Sequence, residues 1–319
     1  MTSFKKILPT FLKILIGVFS LAIIFNKLSQ TPELKSHFIS ILADSKVYTV
    51  ILIIILLMPI NWGIESFKWK LCTAQIEHVS YKTALKSVFT GICLGNLAPG
   101  RAMEFVAKIY FFKPDNRPTI TILHFINGMF QMLITVVVGL ISIAYKLTEH
   151  ETSNNIVYGI IIGGIGLILF FCWAILNVSF IQKKLKFIKW FDKAGNDDVK
   201  FSLSLIFNLI GLSIVRYLVF TLQFYLIYST LNPNHQMLAA LTSIAAYFII
   251  TSLVPMISFI EPAIRAAIAL FVFNNAHENS VTIILCATIL WLINVVVPSI
   301  IGYIIILREK IDFKSPHAN

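Results

Sequence analysis

Charge is scarce in this chain. Asp, Glu, Lys and Arg make up only 13% of its 319 residues, about half of the roughly 25% carried by water-soluble domains, and that excludes a soluble enzyme. Glycine (14) and proline (11) are too few for a collagenous or disordered chain. The four cysteines, Cys72, Cys93, Cys172 and Cys286, lie far apart and lack CxxC or histidine-rich spacing, so they read as core packing. HExxH, GxSxG and GxGD motifs are missing too, as are paired aspartates within apolar runs. No catalytic residue, metal or cofactor is therefore expected. Acidic residues are outnumbered 15 to 26, which gives a net charge of +11. No segment is long and polar enough to form a nucleic-acid-binding surface, so this excess reads as a topology signal.

What the chain does have is apolar residues, 57% of the total, arriving in runs rather than in alternation. Runs point to helices rather than to the strands of an outer-membrane barrel. Runs long enough for a hydrocarbon core of about 30 Å fall at 8–28, 47–67, 84–112, 119–145, 156–178, 201–229, 237–273 and 281–307. The first follows Lys5 and Lys6, but Asn26-Lys27-Leu28-Ser29-Gln30 offers no small-residue cleavage site, so it reads as a retained membrane helix.

Two runs are interrupted near their middles, 84–112 by Asn96-Leu97-Ala98-Pro99-Gly100-Arg101 and 237–273 by Ser252-Leu253-Val254-Pro255. Proline removes a backbone donor and ends or kinks a helix. Basic residues decide whether these runs cross or fold back. A single crossing at 84–98 would place Lys183, Lys184, Lys186, Lys189, Lys193 and Lys200 outside, against the positive-inside rule. If both runs enter and leave on one side, those lysines become cytoplasmic, and only Lys27, Lys35, Lys46 and Lys146 lie outside. The expected fold is an all-α polytopic membrane protein with six crossings and two re-entrant helical hairpins broken at Pro99, Gly100 and Pro255. Both termini face the cytoplasm of an inner membrane. Residues 181–193 read as a cytoplasmic interfacial helix, with Ile181, Leu185 and Ile188 on one face and lysines on the other.

Each half then reads crossing, crossing, hairpin, crossing, and an odd number of crossings inverts the second half relative to the first. The whole chain, 1–319, is thus one integral membrane domain, with repeat halves at 8–145 and 156–307. In both halves a glutamate follows the proline and a base stands four residues further on, as Glu104 with Lys108 and Glu261 with Arg265.

Arg101, Glu104, Lys108, Arg216, Glu261 and Arg265 would lie within membrane segments, where each charge costs about 2.5–3.5 kcal/mol on insertion scales. Pairing at helical spacing absorbs part of this, but four bases against two acids leave positive charge over. The helices after Pro99 and Pro255 would also start near the midplane with free N–H groups facing the break. Surplus charge and two helix N-termini suit a phosphate-bearing ligand. The two Glu–base pairs serve equally as staples that hold the hairpins. His124, Asn127 and Gln131 form one stripe, read as a packing histidine and interhelical hydrogen bonds, or as polar groups wetting a headgroup path; Asn208, Arg216 and Gln223 form another. Glu65 reads as an interface residue pairing with Lys68.

The stretch Gly95-Asn96-Leu97-Ala98-Pro99-Gly100-Arg101-Ala102-Met103-Glu104 resembles the transmembrane domain of lysylphosphatidylglycerol synthases and their stand-alone flippase-like relatives, and Pro255 with Glu261 resembles the second motif of that family. The resemblance implies a lipid-translocating fold with two re-entrant hairpins. Its site would be Asn96, Arg101, Glu104, Lys108, Gln131, Arg216, Glu261 and Arg265. Its ligand would be an anionic phospholipid or lipid-linked phosphate, made by a separate enzyme. Two departures stand out. Met103 occupies a position where glycine often precedes the glutamate, and Met256-Ile257-Ser258-Phe259-Ile260 replaces a glycine-rich stretch, so a glycine cradle is not carried over. Only Ile311 to Asn319 follows the last crossing, and lipid aminoacylation is not expected. A secondary transporter of a small soluble anion and a non-transporting assembly factor are the competing readings.

Overall fold

The computed structural model describes residues 43–97, 101, 103–149, 154–187, 189–192, 199–254, 260–273, 279–309 and 311. The crossing expected at 8–28 and the break residues Pro99, Gly100 and Pro255 lie outside these residues. Every described element is helical. This follows from the apolar runs, because a segment without water must satisfy its backbone groups internally.

The elements, in chain order, are α1 (Ser45–Thr73), α2 (Tyr81–Leu97), α3 (Glu104–Ile109), a 3-10 turn (Pro114–Asn116), α4 (Arg117–Glu149), α5 (Asn154–Leu176), α6 (Val178–Leu185), α7 (Lys189–Asp192), α8 (Leu203–Leu231), α9 (Met237–Leu253), α10 (Glu261–Val272), α11 (Ser280–Trp291), a π-helical turn (Leu292–Val296) and α12 (Val297–Glu309). Side-chain caps start three of them: Asp44 accepts from the Lys46 amide, Ser202 from Leu205, and Asn279 from Val281. Five stretches are long and apolar enough to span a membrane, Ser45–Thr73, Pro114–Leu147, Val157–Leu176, Leu203–Leu231 and Ser280–Glu309. They coincide with the expected crossings at 47–67, 119–145, 156–178, 201–229 and 281–307. Large apolar side chains such as Leu56, Ile162 and Leu218 are exposed on their outer faces, where acyl chains replace water.

The interrupted runs form two helix pairs, α2 with α3 and α9 with α10. In the first, the helices run back against each other. Ser87 Oγ donates to the Lys108 carbonyl at 3.0 Å, and Gly91 and Gly95 give room to the Lys108 and Glu104 side chains. In the second, Tyr247 of α9 and Arg265 of α10 line the same cavity.

The packing of these pairs is exchanged between the two parts of the chain. Helix α2 packs on α12, and α9 packs on α4, while α1 packs on α8. A Cβ at Gly302 would lie 2.1 Å from the Phe89 carbonyl oxygen and 2.9 Å from Cys93 Cβ; one at Gly139 would lie 2.5 Å from Ile249 Cβ. Cys93 and Ile249 each stand six residues before Pro99 and Pro255. The same contact, a glycine of a long helix against the first helix of the other part's pair, thus occurs twice. The open ends are held in the same crossed way. Glu309 of α12 pairs with Lys86 of α2, and Lys146 of α4 donates to Ser243 Oγ at 2.7 Å and to the Val272 carbonyl at 3.1 Å.

Two expectations need correction. Residues 181–193 do not form one helix: α6 starts at Val178 and ends at Leu185, and α7 covers only Lys189–Asp192. Ile181 and Leu185 do turn toward the core. Asn208 is exposed rather than sharing the buried face of Arg216 and Gln223. Among the cysteines, Cys72, Cys93 and Cys286 are buried and all four are free thiols.

Candidate functional site

Glu65 and Lys68 are one helical turn apart on α1, so their side chains share a face. That face meets α8, where Ser213 and Arg216 have the same spacing. Glu65 Oε2 lies 3.5 Å from Lys68 Nζ and 3.2 Å from Arg216 Nη1, and Asn127 of α4 donates to Glu65 Oε1 at 2.9 Å. Lys68 donates to Ser213 Oγ at 3.1 Å. Gln131 accepts from Arg216 and donates to the Ser213 carbonyl, both at 3.4 Å. The Arg216 guanidinium sits between two rings, 4.9 Å from the centroid of Trp62 and 5.3 Å from that of Phe220, contacts worth about 2 kcal/mol when desolvated. Lys68 is fully buried and Arg216 is 8% exposed. One carboxylate therefore holds two buried cations.

A second triad joins the helix pairs. Glu261, 2% exposed, is the first residue of α10, followed by Pro262 in a position where the missing N–H is harmless. Ile260 occupies the cap position, and the Glu261 carboxylate turns to Arg265. Arg265 Nε and Nη2 both reach Glu261 Oε1 at 2.8 Å, a two-pronged contact that fixes the guanidinium plane. Arg101 Nη2 approaches the same oxygen at 3.8 Å from the other broken run. Arg101 has φ of 56°, in the left-handed region, a conformation that costs a non-glycine residue on the order of 1–3 kcal/mol. Again one carboxylate holds two cations.

The remaining sequence candidates are elsewhere. Glu104 and Lys108 pair with each other at 2.9 Å, and the Lys108 ammonium sits 5.5 Å from the Trp69 ring centroid. His124 packs among the rings of Trp69, Phe105 and Phe125. Asn96 donates to Ser299 Oγ on α12. These contacts hold α2 and α3 in place.

Both triads face one cavity of about 540 Å³, lined by Arg101, Arg216, Arg265 and Gln131. Its walls include Trp62, Tyr217, Phe220, Tyr247, Phe248 and Trp291, and Ser252, Leu253 and Val254 line it where α9 ends. Its size falls within the range of ligand pockets, roughly 300–1,000 Å³. The π-helical turn contributes Asn294, whose backbone carbonyl accepts from Trp62 Nε1 at 3.2 Å and fixes that wall.

Residues 10–304 match the family described as the lysylphosphatidylglycerol synthase TM region. The chain belongs to this family. No curated protein and no solved structure matches it. As a lysylphosphatidylglycerol synthase TM region, the chain is a multi-pass membrane protein related to lipid handling. Within this family member, Arg101, Arg216, Arg265 and Gln131 come together, Glu261 stands behind two of the arginines, and Glu104, Lys108 and Asn96 do not reach the cavity. Sequence reasoning paired Glu65 with Lys68 correctly but missed its contact with Arg216, which puts this 6% exposed carboxylate at the centre of the first triad. The available signal was the polar density of Asn61-Trp62-Gly63-Ile64-Glu65, with Lys68 a turn later, inside an apolar helix.

Proposed function

We propose that the protein is a lipid translocase that moves an anionic phospholipid or lipid-linked phosphate across the cytoplasmic membrane. The observation carrying this reading is the convergence of Arg101, Arg216 and Arg265 on one aromatic-walled cavity. In this reading α2–α3 and α9–α10 are re-entrant hairpins entering from opposite faces, and the chain has six crossings in an inverted repeat with both termini cytoplasmic. The crossed glycine contacts and crossed open-end clamps support the repeat, because a two-fold axis in the membrane plane would generate each from the other. The arginines receive the phosphate, the two glutamates and Gln131 orient them, and the tails stay in the bilayer. Glu104–Lys108 and Asn96 act as staples. The protein is not an enzyme in this account, and a separate enzyme supplies the lipid.

The test is translocation of a labelled anionic lipid in proteoliposomes. Wild-type protein accelerates crossing, and Arg216→Ala reduces the rate at least about tenfold, the equivalent of 1.4 kcal/mol of lost stabilisation. Equal rates for wild type, Arg216→Ala and empty vesicles would overturn the reading. Accumulation of a water-soluble anion in sealed vesicles, without lipid movement, would replace it with secondary transport.

A further inference from the structure

The two triads are built alike and each is under-neutralised. Lys68, Glu65 and Arg216 sum to one positive charge, as do Arg101, Glu261 and Arg265. Among the described residues, the pair of Glu104 with the buried Lys108 is neutral and does not line the cavity. The cavity therefore faces two uncompensated positive charges, one from each triad. A buried cation without a counter-charge is costly, and helix-end dipoles do not change the count. In the first triad, Arg216 Nε is buried without a hydrogen-bond partner among the described residues, although Nη1 is engaged by both Glu65 and Gln131. In the second triad the Arg101 side chain is 37% exposed and that of Arg265 is 22% exposed, so both guanidinium groups keep a face toward the cavity.

From this charge balance we infer that the cavity is matched to a doubly charged phosphoryl group, a phosphomonoester or diphosphate, rather than to the singly charged diester of an ordinary phospholipid. The inference rests on the anion-binding reading above and sharpens it to a class of headgroup. One charge neutralises the Arg216 side of the cavity and the other neutralises the Arg101–Arg265 side. A monoanionic headgroup leaves one triad uncompensated, and a zwitterionic headgroup leaves both. Aromatic walls around the charges exclude water and sharpen the discrimination, because charge mismatch is screened less there than in bulk solvent.

The test is equilibrium binding to the purified full chain in a neutral detergent, read from tryptophan fluorescence, since Trp62 and Trp291 line the cavity. The lipid probes are dioleoyl phosphatidic acid, phosphatidylglycerol and phosphatidylcholine, with inorganic pyrophosphate as the soluble probe. The pH is about 7, above the second phosphomonoester ionisation near 6. Phosphatidic acid is expected to bind at least about tenfold more tightly than phosphatidylglycerol, with phosphatidylcholine weakest. Arg101→Gln removes one surplus charge from the most exposed triad member and should bring phosphatidic acid and phosphatidylglycerol to equal affinity, while Arg101→Lys keeps the preference. Equal wild-type affinity for the two anionic lipids overturns this inference and leaves the anionic-lipid reading standing. Binding of neither above phosphatidylcholine overturns both. Pyrophosphate binding as tight as phosphatidic acid supports the charge match and assigns it to a soluble anion, against the lipid reading. The wild-type comparison decides the matter even if Arg101→Gln fails to fold.

Discussion

Arg216 on α8 and Glu65 on α1 meet at 3.2 Å, joining helices from opposite halves of the chain. Glu65 also holds Lys68, which has no solvent access, so the carboxylate neutralises charge contributed from both helices.

Glu65→Gln should destabilise the fold by roughly 3–5 kcal/mol, because it strands buried cations rather than removing a surface pair. Adding Lys68→Met to Glu65→Gln should recover a large part of that loss. Thermal and denaturant unfolding in detergent, arranged as a double-mutant cycle, measures the coupling; strict additivity would contradict the network described.

Gly302→Ala should cost about 1–3 kcal/mol, since the new methyl meets the Phe89 backbone and α12 must move away from α2. Gly139→Ala meets Ile249 at its Cβ and Cγ2, which move only with α9 itself, and should cost a similar amount. Gly128, with nothing within 4 Å of its added Cβ, is the control: Gly128→Ala should be neutral or stabilising by up to about 1 kcal/mol. The order of melting temperatures checks all three.

Arg101→Gly and Arg101→Ala remove the same charge but differ in backbone freedom at φ of 56°. The glycine variant should be the more stable by about 1–2 kcal/mol, while both lose anion affinity to the same extent. A difference in affinity would mean that backbone geometry, rather than the guanidinium, sets binding.

Lys86→Ala should change stability by no more than about 1 kcal/mol, because its pair with Glu309 is partly exposed. Lys146→Met should cost more, since it leaves Ser243 and the Val272 carbonyl without that donor. Paired melting curves test the contrast.

Helix positions and the two breaks were legible in the sequence because long apolar runs and prolines are local signals. Arg101, Arg216 and Arg265 were singled out for a related reason: charge inside an apolar run is rare whatever surrounds it. Partners on the same helix, Glu65 with Lys68, Glu104 with Lys108 and Glu261 with Arg265, were legible from their spacing, but partners from other helices were not. Arg216 has no acid near it in the sequence, and only the packing of α1 on α8 supplies Glu65. Glu104 looked equivalent to Glu261, yet the two differ in surroundings: Glu261 collects a guanidinium from each broken run, while the ion pair of Glu104 is with Lys108 on its own helix. The π-helical turn at Leu292–Val296 had no sequence mark at all, since one additional residue in a turn leaves apolar periodicity nearly unchanged.

The crossed clamps carry a consequence for biogenesis. The pair α2–α3 emerges from the ribosome well before the surface that covers it, Gly302 and Glu309 on α12. The pair α9–α10, in contrast, finds α4 already inserted. The first pair must therefore wait in the bilayer, uncovered, until α12 is made, and quality-control proteases would find their opening during that interval.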